Sequence, residues 1–117
     1  MKSVLITLYT EDVQKSLDFY NGLLEIPIIR RQTVGNGEEL VFLGVGGIET
    51  LELVPADAGT AYAGFSIGIE VVDILTIKKR LEENGYPTEP IVSVNESTTL
   101  CFLEGPNGEK VELIEYK

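Results

Sequence analysis

Two carboxylates, Glu52 and Glu112, are the side chains in this 117-residue sequence best placed to do chemistry. Each stands in mid-strand between apolar neighbours, in Leu51-Glu52-Leu53 and in Val111-Glu112-Leu113. Carboxylates brought into one apolar cup can hold a proton between them and act as general base on a carbon acid. The same pair can instead be satisfied by Thr, Ser or Tyr neighbours and serve only to shape a ligand pocket. There is no histidine, so a Cys–His pair cannot be built. The one cysteine, Cys101, lies in the apolar run Thr99-Leu100-Cys101-Phe102-Leu103, where a thiol is buried and inert, and it excludes an intrachain disulfide. The glycines belong to turns, with no GxGxxG or other phosphate loop.

The elements that must position these carboxylates occur twice. Leu40–Val54 set against Leu100–Ile114, an offset of 60, gives six identities in fifteen positions, including Phe42/Phe102, Glu49/Glu109 and Glu52/Glu112. Average residue usage predicts about one. An offset of 61 aligns the preceding segments, so that Asp12 matches Asp73 and Tyr20 matches Leu81. In both copies an alternating strand runs into an aspartate able to cap a helix. The first helix carries Val13, Leu17, Tyr20 and Leu24 at helical spacing, which leaves Phe19 off the core stripe, at an interface. The second carries Ile74, Ile77 and Leu81 and stops at Asn84-Gly85.

Three strands follow each helix. In the first copy these are 27–34, 40–45 and 49–54, with Gly35-Asn36-Gly37 as a turn; in the second they are 90–94, 98–103 and 110–116, with Pro106-Asn107-Gly108 as the last turn. The fold class is therefore α+β: two βαβββ repeats forming a curved, barrel-like mixed sheet with helices on its outer face. One domain covers 1–117, with repeat 1 at about 1–54, a connector rich in Ala and Gly at about 55–64, and repeat 2 at about 65–117.

Strand parity puts Leu51 and Leu53 on a face that meets the helices, and Thr50, Glu52 and Val54 on the opposite, concave face. Thr7, Tyr9, Ser66 and Gly68 share the concave face, Gly68 as a void more than a contact. Arg30 and Arg31 are adjacent, so only one of them can reach that face.

A net charge of −10 and a pI near 4.3 exclude nucleic acid and anionic membranes as natural partners. No apolar stretch reaches the ~18–20 residues of a membrane span. The N-terminus reads as a strand and not as a signal peptide, which implies a soluble, cytoplasmic protein.

Leu8-Tyr9-Thr10-Glu11-Asp12-Val13 followed by Ser16-Leu17-Asp18-Phe19-Tyr20 resembles the opening of the vicinal-oxygen-chelate superfamily, which includes glyoxalase I, bleomycin-resistance proteins and extradiol dioxygenases. Ile67-Gly68-Ile69-Glu70-Val71 and Phe102-Leu103-Glu104-Gly105-Pro106-Asn107-Gly108 resemble its second-half motifs, and Gly59-Thr60-Ala61-Tyr62 a glyoxalase-like connector. The resemblance implies a cup whose metal-binding members supply His, Glu, His and Glu. It carries those four positions onto Leu5, Glu52, Ser66 and Glu112, so both histidines are replaced. The expectation is a binding protein for a small-molecule ligand with no transition metal and no cofactor. Its pocket is lined by Leu5, Thr7, Tyr9, Thr50, Glu52, Ser66, Gly68 and Glu112, and its assembly is the homodimer of bleomycin-resistance-like members. The alternative is a divergent lactoylglutathione-lyase-like lyase or isomerase, working through Glu52 and Glu112 with a divalent metal held by both.

Overall fold

Alternation in Ile6-Thr7-Leu8-Tyr9-Thr10 makes a half-buried strand, β1 (Ile6–Thr10), that buries Leu8 and Thr10 and exposes Tyr9. The computed structural model describes residues 5–34, 37–57 and 66–117. The chain divides into two compact units, Met1–Thr60 and Ala61–Lys117.

In the first unit Asp12 caps α1 (Val13–Leu17) by accepting from the Lys15 N–H at 3.0 Å. Inside the cap, the hydroxyls of Thr10 and Ser16, both buried, share a hydrogen bond of 2.8 Å. Beyond Leu17 the helix widens into a π-helical segment, Asp18–Leu23. This corrects the reading of Phe19 as an off-stripe residue. The wider turn brings Phe19 and Tyr20 inward together, both wholly buried, with their rings edge to face at 4.8 Å.

Three strands complete the unit: β2 (Ile28–Thr33), β3 (Glu39–Val45) and β4 (Ile48–Pro55). The sheet order is β1-β4-β3-β2, with β1 parallel to β4 and the other pairs antiparallel. The helix packs on β4, on the side of the buried Leu51 and Leu53. Of the glycine turn, positions 35 and 36 lie outside the described residues, as do positions 58–64 of the connector, Gly59-Thr60-Ala61-Tyr62 among them. Pro55 closes β4.

The second unit repeats the order with β5 (Ile67–Glu70), α2 (Ile74–Glu83), β6 (Val92–Asn95), β7 (Thr98–Glu104) and β8 (Lys110–Tyr116). Its sheet order is β5-β8-β7-β6, and α2 packs on β7 and β8. Asp73 caps α2, accepting from the Thr76 N–H at 3.3 Å and from the Thr76 hydroxyl at 2.9 Å. The strand expected from Pro90 begins at Val92, because Pro90 has no N–H for the ladder; upstream only Thr88 makes a single bridge, to Leu103. Leu81, Cys101, Val111 and Leu113 form the core, and burial pushes the Cys101 thiol up from its ordinary pKa. Among the described residues no helix is long and apolar enough to cross a membrane.

Candidate functional site

The open face of the first sheet is assembled around Glu52. Register places Thr7 of β1 on one side of it and Phe42 of β3 on the other. The Thr7 hydroxyl donates to Glu52 Oε1 at 2.9 Å, so one carboxylate oxygen is held by the protein's own side chain. Tyr9 and Thr50 lie exposed on the same strands. Leu5, 44% exposed, immediately precedes β1.

Of the adjacent arginines, Arg30 takes the Glu52 face. An irregularity between Ile28 and Arg30 sets the register so that Arg30 stands opposite Phe42, and its guanidinium lies 3.8 Å from that ring's centroid. Its Nε and Nη2 donate to the two carboxylate oxygens of Glu49 at 2.5 and 3.2 Å, and Nη1 donates to Gln32 at 3.0 Å. The Glu49 hydrogen bond, reinforced by the charges of Glu49 and Glu52, holds the guanidinium above its ordinary pKa. Arg31, one residue on, pairs with Glu39 at 2.7 Å.

The second sheet presents the matching face around Glu112, with Gly68 of β5 and Phe102 of β7 as its register partners. A Cβ added to Gly68 would stand 3.6 Å from Glu112 Oε1. Ser66 is exposed just ahead of β5. Lys110, two residues before Glu112 on the same face, holds its ammonium 4.5 Å from the Phe102 ring centroid. Beside that ring is a cavity of about 670 Å³, walled by the 85–89 segment, by Phe102, Leu103 and Glu104, and by the 105–108 turn with Lys110.

Sequence reasoning thus located Thr7 with Glu52 and Gly68 with Glu112, and strand parity was the signal. It missed the two cation–aromatic pairs, Arg30 on Phe42 and Lys110 on Phe102. Duplication of Phe42 as Phe102 was a legible hint, but the cations come from non-equivalent strands, β2 and β8.

The donors at the four positions drawn from metal-binding relatives are two carboxylates, one serine hydroxyl and an alkyl chain. Glu52 is already engaged by Thr7. Zinc and nickel sites combine imidazole or thiolate with carboxylate, which this set does not fit. Among the described residues no group of three or more His, Cys, Asp or Glu side chains is arranged to hold a metal.

A sequence model of the Glyoxalase/Bleomycin resistance protein/Dioxygenase superfamily matches residues 2–113. The lactoylglutathione lyase of Neisseria meningitidis is 33% identical over 119 aligned positions, covering 91% of this chain and 84% of the relative. Among solved structures, the trypanothione-dependent glyoxalase I of Leishmania major superposes with a TM-score of 0.79 at 23% identity, covering 98% of this chain and 86% of its own. TnmS3, an antibiotic binding protein from Streptomyces sp. CB03234, superposes with a TM-score of 0.74 at 17% identity, covering 100% and 97%. The duplicated βαβββ order, the matching registers about Glu52 and Glu112 and these likenesses agree, and the chain belongs to the glyoxalase/bleomycin resistance protein/dioxygenase superfamily.

Proposed function

We propose that this protein binds a small organic molecule on the open faces of its sheets, without a transition metal, as a cytoplasmic homodimer. The observation that carries the reading is the donor set. The sequence has no histidine, the resemblance carries the imidazole positions of metal-binding relatives onto Leu5 and Ser66, and the Thr7 hydroxyl already occupies an oxygen of Glu52. An exposed aliphatic chain at a ligand position suits contact with an apolar part of a ligand. The fold likeness to an antibiotic binding protein supports the same reading.

Native mass spectrometry of gently purified protein, before and after a chelator, tests it. The expected spectrum is a dimer with no chelator-sensitive metal mass, alone or with an organic adduct, and an unchanged thermal midpoint. A metal mass removed by the chelator overturns the proposal.

The identity of about a third to lactoylglutathione lyases favours a second reading, a divergent lyase or isomerase that keeps Glu52 and Glu112. It requires turnover of a hemithioacetal that depends on added metal and is abolished by Glu112→Gln. An equal lack of response to Ni²⁺, Zn²⁺, Mn²⁺ and Mg²⁺ removes it.

A further inference from the structure

The guanidinium of Arg30 is held along its edges and on one face. Phe42 lies against that face, 3.8 Å from guanidinium carbon to ring centroid. Glu49 takes Nε and Nη2 in a fork, and Gln32 takes Nη1 at 3.0 Å. The side chain is nonetheless 46% exposed, and what these contacts leave open is the face turned away from Phe42. A guanidinium face is flat, delocalised and weakly hydrated, and it stacks on π systems. Its orientation is already fixed, so a ligand stacking on it has little left to order.

Register sets Arg30 in one row with Phe42, Glu52 and Thr7, one residue from each strand of the sheet. Glu52 is half-buried and stands one strand spacing, roughly 5 Å, from Phe42. Its Oε1 takes the Thr7 hydroxyl, and among the described residues nothing donates to Oε2. A carboxylate acceptor therefore stands beside the open guanidinium face. The charged residues of these four strands are Arg30, Arg31, Glu39, Glu49 and Glu52. Arg31 and Glu39 pair with each other on the opposite side, where Arg31 stands across from the buried Val41. A ligand carboxylate would meet Glu49 and Glu52, and a ligand ammonium would meet Arg30. The row suits a ligand without net charge.

We propose that the first half binds a flat, uncharged aromatic molecule bearing a hydroxyl or N–H group, its ring stacked on the open face of Arg30 and its donor on Oε2 of Glu52. The second half lacks this device. The offset of 60 puts Pro90 where Arg30 stands, and the cation on Phe102 is Lys110, a compact ammonium with no face to stack on and with Glu104 across from it in the ladder. This inference rests on the small-molecule reading above and names the half and the ligand class.

The test is a chemical-shift titration of the intact protein with naphthol, reading backbone amides and the Arg30 Nε–H. Decalol keeps the hydroxyl without the flat face, methoxynaphthalene keeps the face without the donor, and naphthoate adds a negative charge. We expect saturable shifts, largest at Arg30, Phe42 and Glu52, with the Arg30 Nε–H moving upfield as a proton over an aromatic ring does. Each control should bind about tenfold more weakly, the loss of one such contact. Arg30→Lys, at an exposed position, keeps the charge and removes the plane, and should bring naphthol down to the affinity of decalol. Absence of saturable shifts, any control binding as tightly as naphthol, a stationary Arg30 Nε–H, full affinity in Arg30→Lys, or shifts centred on Gly68 and Glu112 overturns the inference. An organic adduct in the native mass spectrum together with any of those results would sink the aromatic class and leave small-molecule binding standing.

Discussion

At the scale of single residues, two glycines show how differently one missing side chain can act. Gly68 opens space beside a carboxylate, whereas Gly44 permits two strands to meet. A Cβ on Gly44 would lie 1.7 Å from the Ile48 carbonyl oxygen and 2.8 Å from its carbon, with the Ile29 Cδ1 at 3.0 Å. The register between β3 and β4 shifts at this point, so the backbone approach is fixed by the ladder on one side and by the short turn at Gly46 and Gly47 on the other. Backbone atoms cannot yield as a side-chain tip does, and relief requires parting β3 from β4. We expect Gly44→Ala to lower stability by about 3 kcal/mol or more, read from the urea midpoint at constant slope. A loss below about 1 kcal/mol would show that the turn gives way and that the close approach is not needed for pairing.

At the scale of elements, α2 illustrates what was legible and why. Asp73 ahead of Ile74, Ile77 and Leu81, with Asn84-Gly85 behind, is a complete set of local signals, and the helix runs Ile74–Glu83. Its cap also gives a titration. The Thr76 hydroxyl, then the Thr76 N–H, hold the Asp73 carboxyl below its ordinary value of 3.8. The unfolded chain therefore binds this proton more tightly than the folded chain. The contribution is present above the ordinary value and is lost as pH falls through the depressed one. Against Asp73→Asn, which keeps an acceptor but does not titrate, the native protein should hold its urea-midpoint advantage at about pH 5 and lose it by about pH 2. An advantage constant across that range would assign the cap to geometry alone. The π-helical segment was not legible in this way, since a 3.6-residue period assigns Tyr20 to the core and Phe19 outside it, and only packing decides that both enter. The site divides similarly. Parity of two fixes which residues share a face, so Thr7, Glu52, Gly68 and Glu112 were readable. The bulges that aim Arg30 at Phe42 and Glu49 depend on tertiary register and carry no local sequence signal.

At the scale of the whole molecule, the dominant physical fact is charge, 19 acidic against 9 basic residues. Ion pairs among the described residues include Arg30–Glu49, Arg31–Glu39, Lys78–Glu82 and Lys79–Glu83, most of them well exposed, and such pairs are worth roughly 0–1 kcal/mol each. Salt weakens them, but it also screens the self-repulsion of a net charge of −10, a repulsion that the compact state feels more than the unfolded chain. The second effect acts over the whole surface and should win. We expect the thermal midpoint to rise by a few degrees as NaCl goes from about 10 to about 150 mM, where the Debye length shrinks from roughly 30 to 8 Å. Sodium sulfate at equal ionic strength separates screening from preferential exclusion, which would lift the midpoint further. A falling midpoint would mean that ion pairs stabilise the fold beyond their exposed geometry, and Arg30, stacked on Phe42 and forked on Glu49, is where that excess would lie.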